Sequence, residues 1–159
     1  MTLGDDLFRN RYRVPSARLK GWDYRLPGYY YVTICVLDRV QCLGEVVNCE
    51  SVLSPGGEAV AREWGRTPQR SPQVTLDSWI VMPDHIHGLL LLTGKGSQPL
   101  GGIIGQFKSK TTKILRSRGQ TGFAWQERFH DTIVTDLKQL DRIRDYIRDN
   151  PRRWQRKRS

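Results

Sequence analysis

The chain reads as an α+β protein: an antiparallel sheet with helices packed on it. Three observations carry that reading. Short runs dense in β-branched and aromatic residues are interleaved with segments whose apolar residues recur every three or four positions. Their order is strand–helix–strand–strand–helix–strand–helix. The second and third strands are separated only by Pro83-Asp84, a tight-turn signal.

Taken in order, the first 25 residues are polar, rich in Arg and aromatics, and expected to form an irregular arm. Gly28 to Leu37 (GYYYVTICVL) is the first strand. Ser54-Pro55-Gly56-Gly57-Glu58 has the form of a helix start, Ala59 to Trp64 continues it, and Gly65 is the stop. Val74 to Met82 is the second strand and His85 to Leu92 the third. Leu100 to Arg116 is the clearest helix: Leu100, Ile103, Ile104, Phe107, Ile114 and Leu115 share one face, with Gln106, Ser109, Lys113 and Arg116 opposite. Phe129 to Val134 is the fourth strand. Asp136 is an N-cap, with Gln139 placed to reach back, for a helix with Leu137, Leu140, Ile143 and Ile147 as its buried stripe. Asn150-Pro151 stops that helix, leaving 152–159 as a basic tail. With no repeat and no clear linker, one domain over 1–159 is expected.

This order is that of a ferredoxin-like (RRM-like) layer with an extra C-terminal helix. In that topology the first and third strands are central, so the histidine-bearing strand should lie mid-sheet. His85, His87, Leu89 and Leu91 then share one face, and Ile86, Leu90 and Leu92 the other. Both faces should be covered toward Leu92. Helices would cover one; the N-terminal arm, the last helix or a second subunit would cover the other.

Composition narrows the class. At 38% hydrophobic residues, with five Trp and six Tyr, the chain can build a core, which excludes a disordered protein. No apolar run approaches the roughly 18–20 residues of a membrane span, and the N-terminus lacks a signal pattern, so no membrane association is expected. Cys35, Cys42 and Cys49 form no CxxC pair and suit free thiols in a reducing cytoplasm. Lys and Arg outnumber Asp and Glu by 26 to 16, a net charge of +10 that suits a polyanionic partner. The excess is concentrated in two runs. One holds Lys108, Lys110, Lys113, Arg116 and Arg118; the other includes Arg148, Arg152 and Arg153 among eight basic residues from Arg142 onward.

The chemistry-bearing residues are few. His85 and His87 are two apart on a strand, so their imidazoles can meet one divalent metal. Tyr146 and Asn150 are four apart, neighbours on one helical face, with Tyr146 about 110° from the apolar stripe, at its margin. Two neutral imidazoles and an amide oxygen could hold one metal with open positions, which would neutralise the oxygens of a phosphodiester. A tyrosine oxygen could then attack phosphorus and leave a covalent phosphotyrosine, with no need for ATP and no P-loop to bind it. The carboxylates show no cluster of the kind two-metal nucleases use.

These residues lie within motifs that resemble a known family. They are Arg18-Leu19-Lys20-Gly21-Trp22-Asp23-Tyr24 ahead of Gly28-Tyr29-Tyr30-Tyr31-Val32-Thr33-Ile34, then Met82-Pro83-Asp84-His85-Ile86-His87-Gly88, Ile103-Ile104-Gly105-Gln106-Phe107-Lys108-Ser109-Lys110, Trp125-Gln126-Glu127-Arg128-Phe129 and Tyr146-Ile147-Arg148-Asp149-Asn150-Pro151. In order and spacing they resemble the single-tyrosine HUH transposases of bacterial insertion sequences, most closely the REP-associated tyrosine transposase branch. The resemblance implies a ferredoxin-like fold that cleaves and rejoins single-stranded or hairpin DNA. His85 and His87 would be metal ligands for Mg²⁺ or Mn²⁺, Asn150 the third polar ligand, and Tyr146 the nucleophile, leaving a 5′-phosphotyrosine and a free 3′-hydroxyl. After Trp125-Gln126 relatives commonly carry a histidine and a basic residue in the next strand, where this chain has Thr132 and Thr135.

Lys108, Lys110, Lys113, Arg116, Arg148, Arg152 and Arg153 are the expected phosphate contacts, and a cytoplasmic, nucleoid-associated location follows from such a partner. A homodimer would let Tyr146 serve its own histidines or a partner's. The alternative is a non-catalytic binder of hairpin DNA, or of RNA on the same strand order. Tyr29, Tyr30 and Tyr31 could stack bases, but they point to both faces of their strand.

Overall fold

The computed structural model describes residues 27–93 and 98–158. The elements are β1 (Gly28–Cys35), a 3₁₀ turn (Leu37–Arg39), β2 (Gly44–Val47), β3 (Glu50–Leu53), α1 (Pro55–Gly65), α2 (Thr67–Arg70), β4 (Val74–Met82), β5 (His85–Leu92), α3 (Leu100–Ser117), β6 (His130–Val134), α4 (Leu137–Arg148) and α5 (Asn150–Arg158). Four strands form one sheet in the order β4-β5-β1-β6, every neighbouring pair antiparallel. This is the expected ferredoxin-like order, with β1 and β5 central.

Alternation on the central strands divides the molecule into layers. Tyr30, Val32 and Ile34 of β1, with Ile86, Leu90 and Leu92 of β5, face α1 and α3, where Val60, Trp64, Ile103, Ile104 and Phe107 complete the main core. Gly88 belongs to this face. A Cβ built there would lie 2.3 Å from Cζ2 of Trp64, a ring with no exposed surface. Only a glycine lets α1 approach β5 so closely.

The opposite face carries Tyr29, Tyr31 and Thr33 from β1 and His85, His87 and Leu89 from β5. Helix α4 covers it, burying Leu140 and Ile147 against Leu89 and Val134, with Ile143 and Ile80 at the margin. Among the three candidates for this cover, the Asp136-capped helix, expected from the sequence to be the last, is thus the one observed within the described residues. Asp136 caps α4 by accepting from the Gln139 amide at 2.8 Å, and the Gln139 side chain accepts from the Thr135 amide at 3.4 Å. Leu137 departs from the expected stripe and is 76% exposed. At 100° per residue it lies about 80° from Ile147, on the side away from Ile143, and so overhangs the packed face.

A latch fixes α4 to the sheet edge. The β4–β5 register shifts between Leu76 and Trp79, and this irregularity aims Asp77 at α4. Arg144 Nε and Nη2 donate to its two oxygens at 2.9 and 2.7 Å. That bidentate bond holds the Asp77 carboxyl below the usual carboxylate range.

Besides the 3₁₀ turn and the short helix α2, the β2–β3 hairpin and helix α5 were not anticipated. Residues 44–53 form a β2–β3 hairpin whose turn, Asn48-Cys49, has φ of 51° and 62°. Both are left-handed, as a type I′ turn requires, but without the Gly that usually signals one. Residues 152–158, expected as a tail, belong to α5. Asn150-Pro151 breaks the helix at Asp149 and starts another, because Pro in a first turn forfeits no helical hydrogen bond. The hairpin supports α5, where the Cys49 amide donates to Gln155 Oε1 at 2.6 Å, and is itself tied to β4, where Ser51 Oγ donates to the Val81 carbonyl. The N-terminal arm, and with it the Arg18–Tyr24 motif, lies outside the described residues.

Candidate active site

Register pairing builds the site. Cys35 pairs with His85 and Thr33 with His87, while Thr33 and Tyr31 pair on their other side with His130 and Thr132. Both imidazoles therefore stand on the α4 face near one end of the sheet, each only 6% exposed. Their Nε2 atoms are 3.0 Å apart, with the rings nearly perpendicular at 80°.

Each ring is held from behind. His85 Nδ1 donates to Asp84 Oδ1 at 2.6 Å, and Asp84 also accepts from Arg39 Nε and Nη2 at 3.1 and 3.2 Å. Burial alone would raise the Asp84 carboxyl, but the bonds from His85 and Arg39 outweigh it and keep the group below the usual carboxylate range. His87 Nδ1 lies 2.9 Å from both Tyr31 Oη and Thr33 Oγ1. Burial, followed by repulsion from His85 and Arg39, pushes His87 down to about 3, so it is neutral at working pH. Tyr31 is pushed up by burial and stays a protonated phenol.

This donor set fits a divalent ion. Two ligands about 2.1 Å from one octahedral ion and 90° apart lie about 3.0 Å from each other, the separation seen between the Nε2 atoms. A ring proton on Nδ1, toward Asp84 for His85 and toward the Tyr31 and Thr33 oxygens for His87, leaves Nε2 as the coordinating atom. Among the described residues no group of three or more His, Cys, Asp or Glu could hold a metal. Further ligands must then be amide, water or substrate oxygens.

Helices α4 and α5 supply the rest. A cleft of about 320 Å³ is lined by His85, His87, Tyr146 and Asn150, together with Thr33, Arg39, Arg153, Trp154, Lys157 and Arg158. The four residues singled out in the sequence thus share one cleft. Tyr146 is 42% exposed and its ring stands edge-on to His87, centroids 5.7 Å apart. Asn150 is buried, and its Nδ2 donates to the Tyr146 carbonyl at 3.4 Å, leaving Oδ1 as the atom available to a ligand. A second cleft of about 570 Å³ adjoins His87 and Tyr146 on the other side, bordered by Tyr31, Thr132, Gln139, Arg142 and Ile143.

A family model described as "Transposase IS200 like" matches residues 29–150, a span that includes both histidines, Tyr146 and Asn150. The chain belongs to the IS200-like transposase family. An uncharacterised protein of Haemophilus influenzae is 31% identical over 160 residues, covering 88% of this chain and 89% of that one. Two solved structures share the fold. A REP-associated tyrosine transposase bound to a REP hairpin superposes with a TM-score of 0.65 at 18% identity, covering 86% of this chain and 73% of that one. A putative transposase from Deinococcus radiodurans gives 0.55 at 18% identity, covering 82% and 95%.

In this IS200-like chain the expected phosphate-binding residues do not form one surface. Lys108, Lys110, Lys113 and Arg116 lie on α3, across the sheet from the histidines. Lys110 and Lys113 border a depression with Arg70 and Gln106, and Lys113 and Arg116 another with Trp125 and Gln126. Lys108 is half-buried, its Nζ donating to the Gln126 and Glu127 carbonyls at 2.7 and 3.1 Å. Arg116 Nε donates to the Phe123 carbonyl at 2.9 Å. Arg148 makes exposed ion pairs with Asp145 and Asp149. On the histidine side, Arg152 is exposed and Arg153 reaches the cleft. Sequence reading missed Tyr31, Thr33, Asp84, Arg39 and Trp154. Asp84 had a signal in its place directly before His85; Tyr31 and Thr33 become visible only once β1 is paired with β5.

Proposed function

We propose that this transposase-family chain cleaves and rejoins hairpin-bearing single-stranded DNA through a covalent bond to Tyr146, with a divalent metal held by His85, His87 and Asn150. Within the family we place it with the REP-associated tyrosine transposases. The observation that carries the reading is the single cleft shared by the His85–His87 pair, Tyr146 and Asn150. The net charge of +10 and the hairpin-bound relative support DNA as the substrate.

When bound, Mg²⁺ or Mn²⁺ would withdraw charge from the phosphodiester's non-bridging oxygens. The chain's own residues supply orientation and the nucleophile. Asp84, Tyr31 and Thr33 hold the two imidazoles aimed at a common point. Tyr146 Oη forms the new bond to phosphorus, the P–O3′ bond breaks, and its electron pair leaves on the 3′ oxygen. That oxygen takes up a proton as the phenol releases one to solvent. The reverse attack by a 3′-hydroxyl rejoins a strand.

Incubating the protein with labelled hairpin DNA and Mn²⁺ should give an SDS-stable protein–DNA adduct that Tyr146→Phe does not form. An adduct that survives Tyr146→Phe refutes the assignment of the nucleophile. Tight hairpin binding with no adduct on any junction tested would favour a non-catalytic binder.

A further inference from the structure

We infer that Arg153 is a catalytic residue that grips the scissile phosphate beside Tyr146; the inference rests on the reading above. Its guanidinium carbon lies 4.1 Å from the centroid of the Tyr146 ring, stacked on the nucleophile itself. Nη2 donates to the Tyr146 carbonyl at 3.1 Å, which ties the guanidinium to the backbone that carries the phenol. Nε is buried without a hydrogen-bond acceptor among the described residues. An arginine N–H desolvated and left without an acceptor is costly unless a ligand completes it.

Of the other cations that line this cleft, Arg39 and Arg158 are engaged elsewhere, and Lys157 is the third. Arg39 is bound to Asp84, and Arg158 lies over Trp154, 3.4 Å from its ring centroid. No carboxylate among the described residues comes within ion-pair distance of Arg153. The cleft, which His85 and His87 also line, therefore presents a fixed guanidinium, uncompensated among the described residues, next to the proposed nucleophile. A phosphodiester attacked by Tyr146 must place its phosphorus beside the phenol oxygen, within reach of that fork. A guanidinium offers paired donors to the non-bridging oxygens. It would bind them before attack and again in the phosphotyrosine, while the metal side of the same phosphate faces the imidazoles.

Two measurements test this on the hairpin DNA with which the wild type forms its adduct. Arg153→Ala should slow adduct formation by about 100-fold or more, as loss of one anion-stabilising donor set does, and Arg153→Lys by less. The second measurement reads the contact without turnover: hairpin affinity in a Tyr146→Phe background, in EDTA, with a phosphodiester or an uncharged methylphosphonate at the junction. With Arg153 present the phosphodiester should bind about tenfold tighter; with Arg153→Ala the preference should vanish. An unchanged preference in Arg153→Ala, or adduct formation at the wild-type rate, overturns the proposal while leaving the Tyr146 mechanism intact. A wild type that forms no adduct on any hairpin sinks both.

Discussion

Gly88 follows the second histidine, and replacing it with alanine tests how tightly the site is coupled to the core behind it. The added methyl would sit 2.3 Å from Trp64 Cζ2 and 3.0 Å from both Cε2 and Cη2. Reaching an ordinary contact of 3.4 Å requires a displacement of 3.4 − 2.3 = 1.1 Å. Trp64 cannot supply it by rotating outward. Its ring has no exposed surface and packs edge-on against Phe107, centroids 5.2 Å apart. The strain falls on β5 or α1, and overpacking of this kind costs about 1–3 kcal/mol. For a domain of this size that is a fall in Tm of roughly 2–12 °C, at about 2–4 °C per kcal/mol. Differential scanning calorimetry of Gly88→Ala, Trp64→Phe and the double variant checks it. Trimming the ring should relieve the methyl, so the double variant should be more stable than the sum of the single losses by about 0.5–2 kcal/mol. A Gly88→Ala protein melting within 1 °C of wild type, or strictly additive losses, would refute the close-approach argument.

Removing the carboxylate behind His85 should weaken Mn²⁺ binding by about 10–100-fold in Asp84→Ala, measured by titration calorimetry, with a smaller loss in Arg39→Ala; wild-type affinity in Asp84→Ala would contradict the proposed metal site. The Asp77–Arg144 latch should add about 0.5–1 kcal/mol at neutral pH, discounted because Arg144 is 36% exposed. The Asp77 carboxyl is lowered in the folded protein, so this stability is present above its unfolded pKa and lost as pH falls through the folded one. Asp77→Asn should therefore be less stable than wild type at pH 7 in urea melts, with the difference closing below about pH 4. Lys108→Ala should lower stability by about 1–2 kcal/mol, since two carbonyls lose their partner. It should leave the salt dependence of hairpin binding unchanged; a slope reduced by about one would make Lys108 a phosphate contact instead.

Much of the frame was legible because it rests on local periodicity. The alternating β-branched runs, the Ser54 and Asp136 caps and the 3.6-residue stripe of Leu100–Leu115 are short-range signals, and the elements formed where they predicted. The 44–53 hairpin was not legible, because its Asn48-Cys49 turn reaches left-handed φ without glycine. Helix α5 was missed because Asn-Pro marks the end of one helix and the start of another equally well.

At the site, sequence alone determined the residue types and their order. His85 and His87 share a face by the period of a strand, and Tyr146 and Asn150 share one by the period of a helix. Only the tertiary structure decided that these two faces meet. Their approach depends on the β1–β5 register, on α4 packing over Leu89 and Val134, and on the Asp77–Arg144 latch, contacts between residues as many as 67 positions apart. The supports behind the imidazoles and the Arg153 guanidinium over Tyr146 are likewise products of packing. A basic residue in a charge run looks the same in the sequence whether it caps a carbonyl, as Lys108 does, or stands over the Tyr146 ring, as Arg153 does. The difference is set by what the fold brings within a few ångströms of it.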